Sequence, residues 1–167
     1  MKDSIFSFNA FDIETDVKIL SSSFCKVEPI VALSTSNQQI LLYPAKGGKS
    51  HSKPINGKVN VTCLTWQPST TNLILGWEDG ILEGYVIQYT PTISKKRLWA
   101  QNTSVHRYPI TILSWGFTGQ LLFSGDKNGS CCLWTYENAS VVPIINRQCQ
   151  KEVTSVVFNY SKVRIGQ

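Results

Sequence analysis

An internal repeat constrains this chain most, because a repeated unit fixes architecture before any local reading does. Val61-Thr-Cys-Leu-Thr-Trp66, Leu73-Ile-Leu-Gly76, Asp79-Gly80 and Tyr85 recur as Ile110-Thr-Ile-Leu-Ser-Trp115, Leu122-Phe-Ser-Gly125, Asn128-Gly129 and Trp134, each pair 49 positions apart. Ile19 to Phe24, Ile30-Val-Ala-Leu33 and Ile40-Leu-Leu-Tyr43 match the first copy at an offset of 42, and Val153 to Phe158 matches the second at an offset of 43. Four units therefore start near residues 19, 61, 110 and 153, and residues 1–167 read as one run of repeats whose last copy is truncated.

Each unit reads as short strands. Val61, Cys63 and Thr65 alternate with Thr62, Leu64 and Trp66, the period of a strand with two distinct faces. Leu73-Ile74-Leu75 is short and apolar, as a buried central strand is. Asp79-Gly80 and Asn128-Gly129 are hairpin pairs, since Asx and glycine tolerate positive φ. Third strands follow at Ile81 to Tyr85 and Ser130 to Trp134, and Val86 to Tyr89 and Val141 to Ile145 are candidate outer strands. Pro44 to Lys58 and Pro91 to Val105 read as extended surface loops. No stretch carries helical periodicity over 11 residues.

A unit of this size cannot bury both sheet faces alone, and radial stacking of neighbours does so. The expected fold is all-β: a partial β-propeller of three to four blades with an open ring. Trp66, Trp115 and Phe158 close first strands, Tyr85 and Trp134 close third strands, and all five are expected to wedge between blades. Gly76 and Gly125 are expected where a side chain would crowd a turn or the next blade. A seven-blade ring needs roughly 300 residues. The chain is therefore expected to be part of one, with an exposed sheet edge. Ile5 to Ile13 is a candidate closing strand.

With 42% hydrophobic, 16% charged and 11% aromatic residues, the chain is no disordered tail. It has no apolar run near the length of a membrane span, and its start has no long apolar core of a secretory signal. The net charge of +5 is scattered, densest at Lys46 to Lys53 and Lys95-Lys96-Arg97, so solvated loops and no nucleic-acid partner are expected. Five cysteines without a signal imply free thiols in a reducing compartment.

Catalytic and metal chemistry finds no support. There is no C-x-x-C, and neither His51 nor His106 stands at ligand spacing from a cysteine. Gly47-Gly48-Lys49-Ser50 lacks the first glycine of a phosphate loop, position 43 being tyrosine. The Asn-x-Ser/Thr triplets at 60, 102, 128, 138 and 159 read as accidents of composition. Asp12, Glu14 and Asp16 read as a solvated strand face. No catalytic residue, metal ligand or cofactor is expected. Trp77 falls in a hairpin turn and is a candidate partner hot spot, the alternative being packing on the next blade. Trp99, beside the Lys95-Lys96-Arg97 cluster, is left outside the core.

The repeat resembles that of the WD-repeat propellers, whose unit has Gly-His near its start, a turn Asp and a closing Trp-Asp. His106 matches the repeat histidine; Asp79 and Asn128, six residues before Tyr85 and Trp134, match the turn Asp. Thr135 stands where the final Asp belongs and Tyr85 replaces Trp, so the family's Asp–His–Ser–Trp network is expected to be mostly absent. More narrowly, Gly76-Trp77-Glu78-Asp79-Gly80 and Ser124-Gly125-Asp126-Lys127-Asn128-Gly129 resemble the second and third blades in the family of the 140-kilodalton subunit of intraflagellar transport complex A. That resemblance implies a non-enzymatic scaffold, a monomer within a hetero-oligomer, supporting retrograde transport and cilium assembly at the cilium, basal body and cytoplasm. It implies protein partners, met through hairpin turns carrying Trp77, Glu78, Asp126 and Lys127. A generic WD-repeat adaptor in another complex is the alternative.

Overall fold

The computed structural model describes residues 17–46, 52–90, 92–101, 105–159 and 163–166. The Ile5 to Ile13 strand, the Asp12–Glu14–Asp16 face, the Gly47 to Ser50 motif and His51 lie outside them. The described residues contain fourteen strands and no helix. They form three four-stranded antiparallel sheets, each meandering in chain order, and one two-stranded sheet.

The first sheet holds β1 (Ile19–Phe24), β2 (Ile30–Thr35), β3 (Gln39–Pro44) and the short β4 (Ile55–Asn56). The second holds β5 (Val61–Trp66), β6 (Asn72–Trp77), β7 (Leu82–Thr90) and β8 (Thr92–Gln101). The third holds β9 (Ile110–Trp115), β10 (Leu121–Asp126), β11 (Ser130–Glu137) and β12 (Ser140–Gln148). The last pair is β13 (Ser155–Phe158) and β14 (Val163–Gly166). First strands neighbour one another in series, β1 against β5, β5 against β9 and β9 against β13. The sheets therefore stand around a common centre, as propeller blades do.

Three boundaries differ from the sequence reading. The segment Pro44 to Lys58, read as a loop, supplies the two-residue strand β4 paired to β3. The third strands run past their aromatic residues, to Thr90 and Glu137, so Tyr85 and Trp134 sit mid-strand rather than at strand ends. The segment Pro91 to Val105, read as a loop, supplies the ten-residue strand β8. Its Lys, Arg and Ser content suggests a loop, but Ile93 and Trp99 are buried while Ser94, Lys96 and Arg97 are exposed. Trp99 thus belongs to the interior, at 8% exposure. Its indole covers Gly84, where an added Cβ would come within 2.3 Å of the ring.

The core lies between sheets. One cluster joins Ile30, Ile40 and Leu42 of the first sheet to Leu73, Leu75 and Ile87 of the second. Another joins Ile74, Leu82 and Trp99 of the second to Ile110, Leu122 and Trp134 of the third. Trp66 is buried in the first of these and donates its indole N–H to the Ser23 carbonyl of the preceding sheet, at 3.2 Å. Trp115 packs against the second, edge-on to Tyr136 at 6.0 Å. Burying side chains of this size stabilises by roughly 1.5–3 kcal/mol each. Gly76 backs onto the next sheet, where a Cβ would come within 2.7 Å of Ile110. The Thr62 hydroxyl donates to the Ile110 carbonyl across the same seam.

Candidate functional site: a buried frame beneath a band of turns

The hairpin turns after β6 and β10 dock on the loops that enter the blades. The Glu78 amide donates to the Asn60 carbonyl at 2.9 Å, and the Lys127 amide to the Pro109 carbonyl at 2.9 Å. On their other side each turn meets the next blade. Gly80 lies where a Cβ would be 2.8 Å from the His106 carbonyl, and Gly129 where one would be 2.6 Å from that of Lys151. Both glycines have φ of +84°, so the close approach and the backbone conformation both require glycine. Turns and loops therefore alternate as one band along one rim. Its outer side exposes Lys58, Glu78, Asp79, Arg107, Tyr108 and Lys127.

Beneath the second turn is a buried relay. The Trp134 indole donates to the Ser124 hydroxyl at 2.7 Å, and Ser124 Oγ lies 2.7 Å from His106 Nε2. His106 Nδ1 lies 3.2 Å from Asp126 Oδ2. Every donor is used once if Ser124 donates to Nε2 and Nδ1–H donates to the carboxylate, which sets the imidazole tautomer. The remaining Asp126 oxygen, Oδ1, accepts from the Asn128 and Ser130 amides at 2.9 and 3.0 Å, bracing the turn. Burial outweighs the adjacent carboxylate and holds the histidine below its ordinary 6.5.

The network expected to be mostly absent is thus complete in the third sheet. Its carboxylate comes from Asp126, not from Asn128, whose side chain is exposed at the turn. Asp126 is fully buried, so this expected docking residue instead supports the turn from below. The sequence signal for this network is the spaced set Ser124, Asp126 and Trp134 behind His106.

The second sheet fills the same positions differently. Forty-nine residues upstream, His106, Ser124, Asp126 and Trp134 become Gly57, Leu75, Trp77 and Tyr85. Trp77 is 5% exposed rather than a surface hot spot. Its ring takes the room that a side chain at 57 would need, since a Cβ there would lie 2.0 Å from Trp77 Cζ3. The large residue at one position and the missing side chain at the other are one exchange of volume. Glu83 serves as local acceptor: its Oε2 receives the Trp77 indole at 3.1 Å and the Tyr85 hydroxyl at 3.0 Å. Arg97 pairs with Oε1 at 3.2 Å. Burial, then the Glu83 charge, push the Tyr85 hydroxyl well above its usual 10. A cleft of about 370 Å³ opens above this cluster, walled by Lys58, Asp79 and Arg97 among others. Of the four docking candidates, Glu78 and Lys127 reach solvent. No group of three or more potential metal ligands occurs among the described residues.

Antiparallel four-stranded sheets set around a centre, with one Asp–His–Ser–Trp relay intact, define a WD-type β-propeller segment. A chain in the crystal structure of the mitotic checkpoint complex superposes with a TM-score of 0.72 at 15% identity, over 92% of this chain and 47% of that one. The computationally designed Ika4 protein superposes at 0.73 and 18% identity, covering 96% of this chain and 91% of Ika4. The designed Ika8 protein gives 0.67 and 20%, with 89% and 42% covered. The chain thus spans less than half the length of two of these three. At such identities they speak for the fold alone. A family model for the first β-propeller of IFT140 matches residues 10–165, and the chain belongs to that family.

Proposed function

We propose that this chain is a non-enzymatic docking segment of an intraflagellar transport subunit, acting in retrograde transport and cilium assembly within complex A. The reading rests on the family match over residues 10–165. The exposed band adds a physical rationale. A rigid buried frame presents charged side chains of both signs, with Glu78 and Asp79 over the second blade and Arg107 and Lys127 over the third. Such juxtaposed patches steer and orient a protein partner of complementary charge. The partners are other subunits of the complex, met at the cilium and basal body, and the chain joins them as a single copy.

The test is affinity capture from ciliated cells with the full-length protein and with a Glu78→Lys/Lys127→Glu double variant. The expected result is co-capture of transport subunits by the wild type and weakened, salt-sensitive capture by the variant. Recovery of no transport subunit by the folded wild type overturns the assignment. Undiminished capture by the variant overturns the role of the band.

A further inference from the structure

Two thiols outside the relay stand side by side at the end of the third sheet. Cys131 is the second residue of β11 and Cys149 directly follows β12. The register pairs Cys131 with Arg147, so Cys149, two residues on, is its diagonal neighbour on the same side of the hairpin. The Cys149 amide is held by the Gly129 carbonyl at 2.9 Å. The two Sγ atoms are 3.9 Å apart. A disulfide needs an S–S separation of about 2.05 Å, so a closure of about 2 Å suffices. Cys149 lies past the strand end, where a side-chain rotation and a small loop shift supply it.

The neighbouring thiols are placed differently. Cys132 points to the opposite side of β11, into the cluster around Trp134. Cys131 packs instead with Phe123 and Val153. Burial raises the Cys132 and Cys63 thiols to about 12, which keeps them neutral and inert. Cys131 is buried, at 3% exposure, whereas Cys149 is half-buried and open to a small oxidant.

We propose that Cys131 and Cys149 form a reversible dithiol–disulfide site, oxidised by hydrogen peroxide and reduced by low-molecular-weight thiols. The Cys149 thiolate attacks one peroxide oxygen, the O–O bond breaks, and hydroxide leaves, taking up the thiol proton as water. The resulting sulfenic acid meets Cys131, whose sulfur forms the S–S bond while the S–O bond breaks. The departing hydroxide takes the Cys131 proton as a second water. Two thiols lose two electrons and two protons, and one peroxide becomes two waters. Cys149 is the more accessible of the two and Cys131 is buried, which assigns Cys149 the attacking role and Cys131 the resolving one. The bond staples the start of β11 to the loop that leads into the next blade. Val153 of that loop already packs beside Cys131.

The experiment treats the reduced, folded chain with equimolar hydrogen peroxide, alkylates remaining thiols and maps peptides without reduction. Trypsin cuts after Arg147, so the expected product is a linked pair of peptides carrying Cys131 and Cys149. The intact mass should fall by two hydrogens and recover with dithiothreitol. Cys149→Ser should abolish the link and Cys132→Ser should leave it, each with an unchanged circular dichroism spectrum. Should Cys149→Ser unfold the chain, Cys149→Ala serves instead. A Cys131–Cys132 link, over-oxidation of Cys149 to sulfinic acid without a link, or no reaction at either thiol overturns the proposal.

Discussion

Replacing Ser124 with alanine tests whether the relay under the third blade supports the fold. The hydroxyl accepts from the Trp134 indole and donates to His106 Nε2, both at 2.7 Å. Trp134 is fully buried and His106 is 5% exposed, so water cannot take over either bond. Two bonds contribute about 1 kcal/mol each, and stranding a buried indole N–H costs about 1–3 kcal/mol more, overlapping with the bond it loses. The expected loss is about 3 kcal/mol, on the order of a hundredfold in the folding equilibrium. For a domain of this size that lowers Tm by roughly 6–12 °C. Thermal and urea unfolding followed by circular dichroism measure it. Ser130→Ala is the control: that hydroxyl bonds Gln148 at an exposed site, and a change within about 0.5 kcal/mol is expected. If both alanine variants unfold at the same midpoint as wild type, the relay carries no stability and the argument from it fails.

Three further outcomes follow from the same geometry. Gly57→Ala should destabilise by about 1–3 kcal/mol through overlap with Trp77, and Trp77→Leu in the same chain should recover most of that loss in urea melts. Glu83→Ala should cost about 1–3 kcal/mol by stranding the Trp77 and Tyr85 donors, and should bring the Tyr85 phenolate absorbance to lower pH. The pH dependence should also report on His106. Its folded pKa lies below 6.5, so the unfolded chain binds the extra proton first. Its contribution is present above pH 6.5 and lost as pH falls below it. His106→Asn should flatten that part of the stability profile, and an unchanged slope between pH 7 and 5 would count against a neutral, buried imidazole.

Much of the architecture was legible in the residues because it is local. The alternation in Val61–Trp66 and Ile110–Trp115, and glycines 80 and 129 at positive φ, need no partner to be read. β8 is not legible in the sequence because its polar run Ser94 to Arg97 separates its two buried residues, and only pairing with β7 gives Ile93 and Trp99 something to cover. The candidate site divides the same way. Glu78 and Lys127 stand exposed in turns that the glycines announce.

What the chain determined by itself is the spacing of its copies, hence the inner strands, the turns and the radial class of fold, since period and φ preference are properties of neighbouring residues. What the tertiary structure decided is which partners meet. His106 reaches Asp126 across 20 positions, and Gly57 yields to Trp77 across as many. The reason is that hydrogen-bond closure and volume exchange are properties of a packed space, where a turn tryptophan is buried only if another residue has vacated the room.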